Sequence, residues 1–394
     1  MLKNWLFALC FCSTLTATEY FVVDPNMSPY AGAYNLKLAH SYAEKIDNKN
    51  FIGDEIQPPS LWKRWIEMVL WDCFNSYESV IQHEFFGHGY RLRDLSMPIT
   101  NYTIGINQGL TVFMVYDNTK AGEMLAIDVA GLEAQNILAH QMKMQWIKTR
   151  TIDPRLSSLY TSNHLSTLEY IFLTLDEMNK QQIPSAANDI SCFLELYNAT
   201  YPEASLSIET LASLSLFSLL DPMSFYSYYS YFSYILYGKP GRVPMIEVIK
   251  DVFYLPNFKT TLAPYGPEVY FENYFLFGDQ PVYVYGKGGN KSLGLGFQCD
   301  EIYSHKQWNL GFSLDFWQHN QYLSNATYND FIEEKSIAIE WPEGEILGAS
   351  LVLRGSTVIK DSHFLFVEAG AKTNGYLPGY PLGKALTLRL GTNF

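Results

Sequence analysis

Apolar residues recur at helical spacing through the first two thirds of the chain. Trp62, Trp65 and Val69 lie on one face and predict a helix over 61–93. The same pattern predicts further elements, namely helices over 34–46, 122–149, 165–180 and 185–198 and two short strands over 102–106 and 111–116.

Residues 205–237 are the segment most like a membrane span, but they contain Glu209, Asp221 and Pro222. A membrane-spanning helix needs about 20 predominantly apolar residues with few charges. We therefore predict two helices broken at Asp221–Pro222, with one spanning helix as the alternative.

After about residue 264 the pattern changes to strict alternation. For example, apolar side chains at Trp308, Leu310, Phe312, Leu314 and Phe316 alternate with Asn309, Gly311, Ser313 and Asp315. About eight strands of this kind are predicted between 268 and 394. The predicted fold class is α+β, with a mainly helical domain over 18–265 and an antiparallel β domain over 266–394, either a barrel or a sandwich. Alternation defines two faces of a strand but does not say which one is outward.

Composition excludes two classes of protein. Hydrophobic residues make up 48% of the 394 residues and charged residues 17%, so the chain has enough apolar material for a core and is not globally disordered. The formal net charge is −13, which argues against a nucleic-acid binder that relies on phosphate contacts.

The N-terminus predicts export. Lys3 precedes a short apolar run, and small or polar residues follow up to Ala17, so residues 1–17 are interpreted as a signal peptide. The cysteines that would remain after cleavage, Cys73, Cys192 and Cys299, are odd in number and form no C-x-x-C motif. A disulfide framework is therefore not expected.

The strongest chemical signal is the string His83-Glu84-Phe-Phe-Gly87-His88. Zinc peptidases place two histidines four residues apart on a helix, where they share a face, with a glutamate as general base. Here one more residue intervenes, and on a regular helix His83 and His88 would lie about 140° apart. A π-type bulge would restore the shared face, and Gly87 is the residue at which such a distortion is least hindered.

This string resembles the zinc motif of the dipeptidyl peptidase III family, which has His-Glu-Leu-Leu-Gly-His on a bulged helix. The resemblance implies that His83 and His88 are Zn²⁺ ligands and that Glu84 is the base, as in a zincin of the Glu type. It covers six residues, the chain is much shorter than those peptidases, and their second motif is absent. The resemblance therefore extends to the chemistry of the site and not to dipeptide specificity.

A third ligand is expected on the 122–149 helix. Glu133 has small neighbours that allow close helix packing and is the predicted ligand, with Asp128 and Glu123 as alternatives. Asp128 is also suited to orient a histidine ligand. His140 is the fallback ligand, and a solvated helix face is the simpler explanation for Glu133.

The final strand, which ends in Phe394, resembles the closing strand of bacterial outer-membrane β-barrel proteins, although residue 392 is Thr where that family usually has an apolar side chain.

The predicted function is an exported zinc-dependent peptidase that acts on peptides or proteins, with the β domain located in the outer membrane. The location alternatives are the periplasm or secretion. The alternatives in function are a non-enzymatic envelope protein with a metal- or partner-binding helical domain, and a peptidase that has lost turnover.

Overall fold

The computed structural model describes residues 19–48, 59–180, 188–290, 292–305, 307–323, 326–332, 344–360 and 363–393. The predicted signal peptide and Phe394 lie outside these residues. The described chain combines helices with a large antiparallel sheet, so it has an α+β fold as predicted.

The helices are found mainly before residue 240. They are α1 (Pro29–Asp47), α2 (Leu61–His83), a π-helical segment (Glu84–His88), α3 (Gly89–Asp94), α4 (Ala121–Asp128), α5 (Ala130–Thr149), α6 (Ser157–His164), α7 (Ser166–Asn179), α8 (Asp189–Thr200), α9 (Ile208–Ser215), α10 (Pro222–Tyr237) and α11 (Tyr328–Ile332). Within the described ranges, three short 3₁₀ helices occur at Pro154–Leu156, Pro202–Ala204 and Leu216–Leu220.

The predicted break at Asp221–Pro222 is confirmed. Asp221 caps α10 by accepting hydrogen bonds from the backbone of Met223 and Ser224, and Pro222 is the first helical residue, where its missing N–H costs nothing. Among the described helices, none has both the length and the apolar character required to cross a membrane.

Most strands belong to one ten-stranded antiparallel sheet. Its order is β1 (Phe21–Val23), β14 (Ala385–Thr392), β13 (His363–Lys372), β12 (Glu345–Lys360), β11 (Trp308–Asn320), β10 (Ser292–His305), β9 (Gln280–Gly289), β8 (Gly266–Phe277), β7 (Val252–Ala263) and β6 (Ile246–Ile249). Two small sheets pair β2 (Ile99–Ile104) with β3 (Gly109–Phe113) and β4 (Thr151–Ile152) with β5 (Gly241–Arg242).

This arrangement differs from the expected barrel or sandwich of about eight strands. Ten of the described strands form one sheet that is not closed, with β1 and β6 at its two ends. The predicted domain boundary at 265 falls in the turn between β7 and β8, so β6 and β7 precede it. Strand β1 also joins this sheet, from the start of the chain. The sequence pattern missed β1 and β6, which have only three and four residues. It also missed β7, whose 12 residues include Pro256 and precede the predicted start of the alternation.

Helices pack against the inner face of the sheet. Leu138, Met142 and Trp146 of α5 share a buried cluster with Tyr270 and Tyr274 of β8. On α1, the Tyr34 ring lies 5.1 Å from that of Phe366 on β13. The helical part and the sheet therefore share one core.

The sheet has an unusual distribution of polarity. Its inner face buries charged side chains, namely Lys259, Glu268, Glu272, Lys287, Glu368, Lys372 and Arg389. Six of them form ion pairs, for example Lys287 with Glu268 at 2.9 Å and Lys259 with Glu272 at 2.8 Å. Nζ of Lys372 instead donates to the backbone carbonyl oxygens of Thr373, Gly375 and Gly383. Its outer face exposes large apolar side chains, including Phe271, Leu293, Leu295, Trp308, Leu310, Phe316, Leu351, Leu353, Leu386, Leu388 and Leu390.

Candidate metal centre

The π-helical segment lies at the predicted position. Helix α2 ends at His83, residues Glu84–His88 form one π turn, and the N–H of Gly89 donates to the carbonyl oxygen of Glu84 five residues earlier. This turn absorbs the additional residue of the motif. The prediction of a π bulge is confirmed.

The bulge brings the two histidines together. Nε2 of His83 and Nε2 of His88 are 3.1 Å apart. The Oδ2 atom of Asp189 lies 3.0 Å from Nε2 of His83 and 3.1 Å from Nε2 of His88. Two imidazole nitrogens and one carboxylate oxygen therefore form a compact triangle, and in the described part of the chain this is the one group of three such side chains close enough to share a metal ion.

Both imidazoles are oriented by hydrogen bonds on their far side. Nδ1 of His83 lies 3.0 Å from Oε1 of Gln135, whose Nε2 donates to Ser79 Oγ. Nδ1 of His88 lies 2.8 Å from the carbonyl oxygen of Ile127. Because both partners are acceptors, each Nδ1 is the donor on the far side, and Nε2 is the nitrogen of each ring that points to the centre of the triangle and would coordinate a metal ion, which is the usual arrangement for ligating histidines.

Small residues make this geometry possible. A Cβ atom on Gly87 would lie 2.7 Å from the carbonyl oxygen of Ala130 and 2.7 Å from Cα of Gly131. A Cβ atom on Gly131 would lie 2.3 Å from Nε2 of His83. The π segment and α5 therefore approach to backbone contact, and the imidazole of His83 lies over Gly131.

Asp189 is held at the start of α8. The side chain of Asn188 caps this helix by accepting from the N–H groups of Ile190 and Ser191, and Nδ2 of Asn188 donates to Thr174 Oγ1 of α7 at 3.1 Å. A carboxylate in the first turn is also favoured by the helix dipole.

The electrostatic environment of the triangle stabilises positive charge. Burial would lower the pKa of His88, but the carboxylate of Asp189 outweighs burial and raises it to about 10. Burial would likewise raise the pKa of Asp189, but the two imidazoles hold it well below its usual range. The same attraction that favours a proton at this centre favours a metal cation.

Glu84 lies in the same cleft on the first residue of the π segment. Its Oε2 accepts a 2.7 Å hydrogen bond from the hydroxyl of Thr111 on β3. A Cβ atom on Gly109 would lie 2.6 Å from Oε1 of Glu84, so the absence of a side chain there leaves room for the carboxylate. Glu84 is 6% exposed.

The cleft has a volume of about 390 Å³ and contains the triangle and Glu84. Its walls combine apolar side chains with further acids and are lined by Leu110, Phe113, Val115, Met124, Leu196, Tyr170, Tyr328, Asp128 and Glu195. Burial, followed by the charge of Asp189, raises the pKa of Asp128 well above its usual range. Burial also raises the pKa of the Cys192 thiol to about 12, so this cysteine is not a thiolate nucleophile at neutral pH.

Glu133, the predicted third ligand, is elsewhere. Both of its carboxylate oxygens lie 3.3 Å from Nη2 of Arg91, Tyr376 donates to Oε2 at 2.6 Å, and the N–H of Gly379 donates to Oε1. The carboxylate is thus engaged in a buried ion pair that links α3, α5 and the segment before β14. Asp189 occupies the place that was predicted for Glu133.

The other candidates also lie outside the triangle. Glu123 accepts from the backbone of Lys120 and caps α4. His140 faces the sheet, where Nδ1 lies 3.1 Å from the Tyr274 hydroxyl and Nε2 lies 3.3 Å from Oε1 of Gln298. Asp128 lines the cleft without taking part in the triangle.

Sequence reasoning missed Asp189 for a physical reason. It is 101 residues from His88, and an acid in the first turn of a helix is ordinarily explained by capping. Nothing in the local sequence separates it from any other such acid.

Comparison with known proteins found no relative of this chain. The chain matches no protein-family model, no curated protein and no solved structure. The function of the site is therefore inferred from its own residues.

Proposed function

We propose that the chain is an exported zinc-dependent peptidase in which His83, His88 and Asp189 hold the metal and Glu84 is the general base. The observation that carries this proposal is the convergence of two imidazole nitrogens and a carboxylate oxygen within 3.1 Å of one another in a cleft that also contains Glu84.

The donor set fits Zn²⁺. Two imidazoles and a carboxylate are among the ligand sets of catalytic zinc sites, and donors bound at about 2.0–2.1 Å in tetrahedral geometry lie roughly 3.3 Å apart. The observed separations of 3.0 to 3.1 Å need only a small expansion. A zinc ion with three protein ligands keeps a fourth position for water and lowers the pKa of that water to about 7.

Glu84 is suited to accept a proton in this cleft. The hydroxyl of Thr111 fixes one of its oxygens, and the space left by Gly109 keeps the carboxylate at the cleft wall. Glu84 would take a proton from the attacking water and deliver it to the leaving amine of the cleaved peptide.

The cleft is also suited to a peptide chain. Leu110, Phe113 and Leu196 provide apolar walls, and Glu195 provides a carboxylate that favours an amino or basic group. Hydrolysis of an unfolded protein tests this assignment of the substrate.

An outer-membrane location is the second part of the proposal. Its support is the polarity of the sheet, which buries Lys287, Glu268 and Arg389 on the inner face and exposes Leu295 and Leu388 on the outer face. Soluble monomers rarely expose apolar patches larger than a few hundred Å². Hydrocarbon in contact with the outer face accounts for this pattern, and the predicted signal peptide accounts for export.

Metal content tests the ligand set. We expect about one zinc per chain in the purified protein and its loss in His83→Ala and Asp189→Ala, because a tetrahedral site with one open position needs all three ligands. His140→Ala is the matched control, since it removes a half-buried histidine outside the triangle. Glu133→Gln should retain zinc although it unfolds more easily, because Arg91 keeps Asp94 but loses its other charged partner.

These variants also distinguish the two candidate third ligands. Zinc that is retained in Asp189→Ala and lost in Glu133→Gln would overturn the assignment of Asp189. Zinc at full stoichiometry in a double His83→Ala, His88→Ala variant would overturn the metal site itself.

Glu84→Gln tests catalysis. It keeps the size of the side chain and one acceptor for Thr111 but removes the base, so hydrolysis of an unfolded protein such as casein should fall about 10²- to 10⁴-fold. Zinc content should stay unchanged, as measured by atomic absorption. Glu195→Gln, on the wall of the same cleft, is the control for nonspecific loss of charge.

The alternative is a non-enzymatic membrane protein that uses the same residues only to bind metal. Hydrolysis by the wild type that Glu84→Gln does not reduce would assign Glu84 a structural role and favour this alternative. A wild type that binds zinc and hydrolyses no polypeptide would do the same, and it would also describe a peptidase that has lost turnover.

A further inference from the structure

Helix α10 exposes large apolar side chains and buries small polar ones. Phe225, Tyr229, Phe232 and Leu236 recur at helical spacing on one face and are 63%, 62%, 56% and 54% exposed. The opposite face, which packs on the protein, is formed largely by serines, and Ser227 and Ser230 are fully buried.

The buried serines bring the helix close to the protein. Ser230 Oγ donates to the carbonyl oxygen of Ile152 at 2.9 Å and accepts from the N–H of Gly241 at 2.7 Å. A Cβ atom on Gly241 would lie 2.8 Å from Cβ of Ser230. The serine face therefore packs against the protein, whereas the aromatic face remains exposed in the described part of the chain.

The aromatic face belongs to a larger apolar surface. The 3₁₀ helix Leu216–Leu220 directly precedes α10 and exposes Leu216, Leu219 and Leu220. Its Phe217 ring lies 6.3 Å from that of Phe258 on β7, which stacks at 4.7 Å on Phe271 of the outer face of β8. The 3₁₀ helix also covers the edge of β7, where the N–H of Thr260 donates to Ser218 Oγ.

We propose that α10 and the Leu216–Leu220 helix lie in a lipid membrane interface, with their exposed aromatic and leucine side chains in contact with lipid. The inference rests on the membrane location proposed above and extends it from the sheet to the helical part.

Composition and continuity favour lipid over a protein partner. From Pro222 to Tyr237 there is no charged residue, and the exposed face mixes Phe and Leu with Tyr, whose ring and hydroxyl suit the boundary between hydrocarbon and headgroups. Lys239 and Arg242 follow the helix and are exposed, where lipid phosphates can pair with them. A helix of this length, about 24 Å, is shorter than the ~30 Å hydrocarbon core and suits an orientation along the interface.

Site-directed spin labelling tests the inference. The background replaces all five cysteines, Cys10, Cys12, Cys73, Cys192 and Cys299, by serine and is accepted only if its thermal unfolding matches that of the wild type. Phe232→Cys and Tyr229→Cys report on α10, Leu295→Cys reports on the outer face of the sheet, and Glu203→Cys reports on an exposed acidic position. Each labelled full-length protein is reconstituted into phosphatidylcholine vesicles, and its collision rates with oxygen and with a water-soluble nickel complex are compared.

We expect the oxygen-to-nickel ratio at 229 and 232 to exceed that at 203 several-fold. High nickel accessibility at 229 and 232 together with high oxygen accessibility at 295 would overturn this inference and leave the sheet in the membrane. Low accessibility to both reagents at 229 and 232 would also overturn it, because protein or a second copy of the chain would then cover the face. High nickel accessibility at all positions, 295 included, would remove the proposed membrane location as well.

Discussion

At the scale of the residue, Thr111 is the group that positions Glu84. It belongs to β3, outside the motif, and its hydroxyl donates to Glu84 Oε2 at 2.7 Å while Thr111 itself is 8% exposed. A carboxylate that is held in one orientation needs no rearrangement when it accepts a proton, which is the advantage of a preorganised site.

Replacement of Thr111 by valine should lower kcat with little change in KM. The β-branched shape is kept, but a hydrogen bond to a charged group is lost, which is worth about 1.5–3 kcal/mol and corresponds to about 10- to 100-fold in rate. Thr111→Ser restores the donor and should recover most of the rate, and both variants should keep zinc. Wild-type kcat in Thr111→Val would assign the hydroxyl no part in catalysis.

At the scale of the element, the site depends on the contact between the π segment and α5. Gly87 lies against backbone atoms of Ala130 and Gly131, which cannot move away singly as a flexible side chain does. The same contact places His83 over Gly131 and Nδ1 of His83 next to Gln135 of α5. A change in the distance between these two elements is therefore a change in the metal site.

Gly87→Ala should lower both stability and metal affinity. The added Cβ would meet two backbone atoms at 2.7 Å, and overpacking of this kind typically costs about 1–3 kcal/mol. Denaturant unfolding and zinc content measure the two effects. Gly383→Ala is the control, since a Cβ atom there meets nothing within 4 Å. Equal stability and zinc content in the two variants would contradict the importance of the close contact.

At the scale of the whole molecule, the sheet separates a charged interior from an apolar exterior. Buried ion pairs such as Lys287–Glu268 satisfy the inner face, while the outer face exposes Leu293, Leu295 and Leu388. Water on the outer face would leave these side chains without the burial that ordinarily stabilises apolar groups. The membrane proposed above gives both faces a suitable environment.

A lysine on the outer face should weaken association with the membrane. Leu295→Lys would cost about 2–4 kcal/mol near a bilayer midplane, and carbonate washing should then release more protein than it releases from the wild type. Ser205→Lys adds the same charge at an exposed loop position and should leave retention unchanged. Full release of the wild type by carbonate without detergent would favour a periplasmic or secreted protein.

The sequence by itself determined most of the elements and three of the four residues of the proposed site. Local periodicity defines helices and strands because side chains three or four residues apart share a helix face and alternate residues share a strand face. His83, Glu84 and His88 lie within six residues, so the need for a shared face was enough to predict the π turn that the structure has.

Only the tertiary structure decided which distant residues complete the site and which face of the sheet is buried. Asp189 reaches the histidines because α8 packs beside α4 and is tied to α7 through Asn188 and Thr174, and no local pattern encodes that approach. Glu133 was a reasonable candidate on the same local grounds, but Arg91 and Tyr376, the latter from far along the chain, engage its carboxylate. Alternation in the sequence defines the two faces of each strand but does not say which face points inward. The charged face became the inner one because helices α1 and α5 pack against it.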